Sequence, residues 1–117
     1  MTAVRQWQPS LADPNVRVEG LSELHQSIAI VLSTPVGSVA GNPELGSRLD
    51  ELVDAPVTVV RGRAPAEVQR ALGRWEPRVE VLETIVMPSS DDGHFELEIY
   101  WRPAGTDMAA QRTVVRV

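Results

Sequence analysis

The first regular pattern along the chain is apolar. Leu21, Leu24, Ile28, Val31 and Leu32 recur at three- and four-residue steps, which puts them on one face of a helix. Ser22 stands where an N-cap would, with Glu23 suited to the positive end of the helix dipole. Thr34-Pro35 should end the helix, because a residue before proline is pushed out of the α region. The first twenty residues hold Pro9, Pro14 and Gly20 among polar positions, with Trp7 and Leu11 as the only large apolar groups. They predict an irregular arm that docks by its tryptophan.

Gly37, Gly41, Pro43 and Gly46 make the next stretch a structured loop. A short helix is expected from Ser47, with Leu49, Leu52 and Val53 inward and Arg48, Asp50 and Glu51 outward, closed by Pro56. After Val57 to Val60 and an Arg61-Gly62-Arg63 turn, Pro65 fits a first helical position. Val68, Ala71, Leu72 and Trp75 mark the helix that follows. Downstream the period becomes two. Phe95, Leu97, Ile99 and Trp101 alternate with polar partners, an earlier strand runs from Val79 to Met87, and Asp91-Asp92-Gly93 supplies a hairpin turn. Arg112 to Val117 alternates again as a third strand, and the chain closes on it, which predicts an open sheet edge. The expectation is one α+β domain over residues 21–117, N-terminal helices followed by an antiparallel sheet of about three strands, after an arm of residues 1–20.

Composition then narrows the chemistry. The 117-residue chain has no cysteine, and its 11 basic residues are all arginine against 16 acids, for a net charge of −5. Thiolate metal sites, disulfides and lysine-dependent catalysis are excluded. The negative charge argues against a general nucleic-acid binder. No apolar run at the start suggests a signal peptide and none elsewhere suggests a membrane span, so a soluble intracellular protein without membrane contact is expected.

His25 and His94 lie on different elements and lack paired metal-ligand spacing, so they read as ordinary surface residues. The glycines of the loop lack the spacing and lysine of a phosphate cradle. Serines 33, 38, 47, 89 and 90 sit in no nucleophile motif. Glu76, beside Trp75, is the one acid whose neighbourhood suggests an apolar pocket, but no second carboxylate is singled out to complete a glycosidase pair. Glu76-Pro77-Arg78 is the sharpest local feature. Its proline fixes the exit from helix to strand, while its two charges can bond to each other or to a partner. Left exposed, that pair would be worth about 0–1 kcal/mol.

In order, the segments Ser27-Ile28, Thr34-Pro35-Val36-Gly37-Ser38, Pro43-Glu44-Leu45-Gly46-Ser47-Arg48-Leu49 and Trp75-Glu76-Pro77-Arg78-Val79, followed by a hairpin, resemble the baseplate wedge proteins of contractile phage tails. That family is often labelled lysozyme-like and has relatives in contractile secretion machines. The resemblance spans about Leu21 to Trp101. It implies a non-enzymatic structural protein of the virion baseplate, assembled in the host cytoplasm and lacking a cofactor or metal. Its implied partners are other wedge proteins and the tail sheath protein, whose polymerisation it initiates. Glu76, Pro77 and Arg78 carry over as structural or interface residues, as do Thr34, Pro35, Gly37 and Ser38 and the later Gly46 and Ser47. Many relatives have an arginine where Val39 stands and an aromatic where Leu45 stands. With the resemblance, the strand of Arg112, Thr113, Val114, Val115, Arg116 and Val117 is expected to pair with the sheath. The alternatives are a peptidoglycan-degrading glycosidase and the equivalent subunit of a secretion machine.

Overall fold

The first helix, α1, runs from Pro14 to Ser33 in a computed structural model that describes residues 14–89 and 92–117. Trp7 and the rest of residues 1–13 lie outside the described residues, as do Ser90 and Asp91. The helix therefore starts well before Ser22, which lies inside it, and takes in residues 14–20 of the expected arm. Pro14 explains the difference. At a first helical position its fixed φ is already helical and its missing N–H has no partner to lose. The inward face is the predicted one, with Leu24, Ile28, Val31 and Leu32 buried.

The expected short helix is a single 3-10 turn, Leu49–Leu52, whose two leucines are buried. The second α-helix, α2, runs from Val57 to Trp75, with Pro65 in its interior. Arg61-Gly62-Arg63 is thus helical, not a turn. Val60, Ala64, Val68, Ala71 and Leu72 form one buried stripe along α2, and its burial outweighs the single backbone bond that Pro65 cannot donate. Pro56 begins the helix instead, its carbonyl accepting from the N–H groups of Val59 (2.9 Å) and Val60 (3.0 Å).

Three strands follow, β1 (Val79–Pro88), β2 (Phe95–Pro103) and β3 (Gln111–Arg116). They form one antiparallel sheet in the order β1-β2-β3. The central strand β2 alternates without a break, with Phe95, Leu97, Ile99, Trp101 and Pro103 buried. In β1 the register slips between Val81 and Glu83, so Leu82 bulges and is 43% exposed. On the inner side of the sheet α2 packs over β1 and α1 over β3. The fold is α+β, two helices followed by a three-stranded sheet, with Trp101 the largest fully buried side chain.

Candidate functional site

At the end of α2 the chain turns sharply through Glu76-Pro77-Arg78 into β1. Glu76 is 4% exposed, and its carboxylate is bonded on both oxygens. Oε1 accepts from Ser27 Oγ on α1 (2.6 Å) and from Arg78 Nη2 (2.8 Å), while Oε2 accepts from Arg78 Nε (2.8 Å). Burial alone would push this carboxyl up, but the bonds from Arg78 and Ser27 prevail and hold it below the usual glutamate range. The backbone closes the same corner. Glu76 N–H donates to the Leu72 carbonyl (2.8 Å) and Ala104 N–H to the Arg78 carbonyl (2.8 Å). A catalytic acid needs a carboxyl raised by its surroundings, and Glu76 has the reverse. Pro77 is exposed, and the Arg78 side chain is 28% exposed.

Residues 34–36, just before the first Gly-Ser pair, meet the second Gly-Ser pair, which stands nine residues beyond the first. Ser47 N–H donates to the Thr34 carbonyl (2.9 Å) and Val36 N–H to the Ser47 carbonyl (3.1 Å), a one-rung parallel bridge between Pro35 and Ser47. The Ser47 hydroxyl donates to the Leu32 carbonyl (2.9 Å), satisfying an acceptor that the end of α1 leaves open. Gly46 has φ +113°, and a Cβ there would overlap the Thr34 carbonyl oxygen. On the surface of this clasp, Pro35, Gly37 and Ser38 are exposed. Ser38 folds back on the Pro35 carbonyl through both its N–H (3.1 Å) and its hydroxyl (2.7 Å).

A concavity of about 230 Å3 joins the clasp to the end of the sheet, lined by Pro35, Ser47, Asp50, Val53, Arg116 and Val117 among others. Clasp and terminal strand are thus one surface; Glu76 and Arg78 do not line it.

On β3, Thr113 and Val115 are buried, while Arg112, Val114 and Arg116 are exposed. Phe95 and Val117 exchange both backbone bonds (2.9 and 3.3 Å). In an antiparallel ladder such pairs recur every second residue, so Val115 and Thr113 also face β2. The N–H and C=O groups of Arg112, Val114 and Arg116 then point to the outer edge, with which no strand pairs among the described residues. Arg112 binds Glu98 across the strand through Nε (2.8 Å) and Nη2.

His25, expected at the surface, is half-buried between α1 and β3. Its Nδ1 lies 2.6 Å from Thr113 Oγ1, the oxygen that accepts from Trp101 Nε1 (2.8 Å), and its ring meets Trp101 edge-on at 4.9 Å. Burial lowers the pKa of the imidazole. Its place beside the apolar face of α1 was the one sequence signal of this role; the partners lie 76 and 88 residues away.

Residues 18–106 match the family model of baseplate wedge protein gp25. Baseplate protein W of Escherichia phage P2 is 32% identical over 83 residues, covering 70% of this chain and 71% of that protein. A crystal structure from Geobacter sulfurreducens, described as a tail lysozyme, superposes with a TM-score of 0.72 at 27% identity, covering 84% of this chain and 89% of that one. A chain of the postcontracted pyocin R2 baseplate does so with a TM-score of 0.56 at 37% identity, covering 72% and 85%. The chain belongs to the gp25 family of baseplate wedge proteins, structural components of contractile tails.

Proposed function

We propose that this wedge protein starts sheath assembly by offering the open edge of β3 to a strand of a sheath subunit, and that it acts without catalysis. The observation that carries the reading is the outward N–H and C=O groups of Arg112 and Val114, with which no strand pairs among the described residues. An edge of that kind takes up another strand through main-chain bonds, with exposed side chains setting the register. Because β3 lies beyond the segment matched by the family model, the reading rests on the ladder of this chain. Other wedge subunits bind, in this proposal, at the exposed Pro35, Gly37 and Ser38 of the clasp and at Pro77 and Arg78 of the corner. The absence of catalysis is supported by Glu76, whose carboxyl is low, sealed and bonded on both oxygens.

The test uses two prolines. Val114→Pro removes only an outward N–H, a substitution an edge strand tolerates, whereas Val115→Pro breaks the ladder to β2 at a buried position. Baseplates carrying Val114→Pro should assemble with a folded subunit yet bear no sheath in electron micrographs. Sheaths of normal length on that variant would overturn the proposal, and Val115→Pro should fail earlier, as an unfolded subunit.

A further inference from the structure

Charge is distributed unevenly over this acidic molecule. Helix α2 carries Arg61, Arg63, Arg70 and Arg74 against the single acid Glu67, in a chain whose net charge is −5. Arg74 is spoken for: it pairs with Glu44 (2.8 Å) and stacks over the Trp75 ring at 4.8 Å. Two of the others, Arg63 and Arg70, converge with Arg48 on a concavity of about 290 Å3 between the 3-10 turn and α2. Leu52, Gly62 and Ala66 complete its wall beside Glu67. Glu67 is already engaged by Arg70 (2.6 and 2.9 Å) and by the Arg48 backbone N–H (2.7 Å). It neutralises one charge of three. Arg63 is exposed and has no ion-pair partner among the described residues, and the Arg48 side chain, 58% exposed, holds only a long 3.4 Å contact with Glu51.

We propose that this concave face docks an acidic segment of another protein, with its carboxylates on Arg63 and Arg48 and an apolar side chain over Gly62, Ala66 and Leu52. Guanidinium forks pair carboxylates and phosphates alike, so two other features favour a polypeptide. Gly62 presents open space where a Cβ would stand, so a partner backbone can approach closely. The apolar part of the wall suits a side chain, which a sugar-phosphate backbone lacks, and the net negative charge of the chain repels a long polyanion while leaving a local basic patch able to steer a short acidic segment. The inference concerns a different surface from the β3 edge and stands or falls apart from sheath pairing.

The test is fluorescence anisotropy of the full chain with a labelled ten-residue peptide carrying three glutamates and two leucines among serines, beside a labelled oligothymidylate with the same number of charges. Arg63→Glu should weaken peptide binding about tenfold or more. Arg61→Glu changes net charge equally on the same helix but off the concavity, and should weaken binding far less, with both variants melting like the parent. Equal losses from the two variants would reduce the effect to net charge and overturn the proposal. So would no measurable peptide binding, or oligothymidylate binding with the same dependence on Arg63. A concentration-dependent dimer that Arg63→Glu abolishes would assign the face to a second copy and reject it as well.

Discussion

Glu76 shows how much one carboxylate can tie together. Its donors come from Ser27, 49 residues upstream, and from Arg78, two residues on, so the exit of α2, the start of β1 and the middle of α1 meet at two oxygen atoms. Cutting Arg78→Ala would leave a buried charge with one remaining hydroxyl donor. We expect a loss of about 2–3 kcal/mol in urea unfolding, together with weaker wedge binding once normalised to folded protein, because Arg78 also stands on the proposed wedge surface. Glu76 also sets a pH dependence. Its folded carboxyl is held below the unfolded value of about 4.3, so its stabilisation is complete above that pH and disappears as pH falls through the lowered value. Glu76→Gln should flatten the acid limb of the unfolding curve. The pairing of Glu76 with Arg78 was legible from their two-residue spacing. Burial and the Ser27 bond were not, because both depend on how α1 lies across α2.

Helix faces and strand alternation were readable because they repeat: Leu24, Ile28, Val31 and Leu32 of α1, Leu49 and Leu52 of the 3-10 turn, Val68, Ala71 and Leu72 of α2 and the alternate residues of β2 are buried as the periodicities picked out, whereas Val60 and Ala64 of α2 were missed and Val53 and Trp75 are only half-buried. Boundaries were not readable, and proline was the reason. Pro14 looked like part of an irregular arm and is the first residue of α1, whereas Pro65 looked like a helix start and lies inside α2. In both cases the local signal was real, and tertiary burial decided how it was used. The clasp is a similar case. Its glycines predicted turns, but the closing bonds from Ser47 to Thr34 and Leu32 join segments that sequence spacing does not pair. Gly46 is the residue that allows the approach, through both its positive φ and its missing side chain. Gly46→Ala should therefore cost more than the roughly 1 kcal/mol of backbone strain alone, measured as a lowered melting temperature. Gly41→Ala, also at positive φ but with open space around it, should show the strain without the clash.

Over the whole molecule, the layers are joined at two kinds of place. The corner holds α1 to α2, and the His25–Thr113–Trp101 cluster holds α1 to the sheet. The second bears directly on the open edge, because Thr113 has its backbone in the ladder to β2 and its hydroxyl under α1. Removing residues 113–117 would take Val115 out of the core and leave the indole N–H of Trp101 without its acceptor, so that truncation removes the fold together with the edge. Single outward changes are the informative ones. The cluster also predicts a titration distinct from that of Glu76. Burial holds the folded His25 below its unfolded pKa of about 6.5, so the unfolded chain takes up the proton first as the solution is acidified. Stability should be constant above that pH, fall as pH drops from about 6.5 towards the lowered value, and level off beneath it. His25→Gln, which retains a hydrogen-bonding group beside Thr113, should remove most of this slope while leaving the acid limb of Glu76 in place. A slope unchanged in His25→Gln, measured by urea unfolding between pH 7 and pH 5, would move the titration to another group.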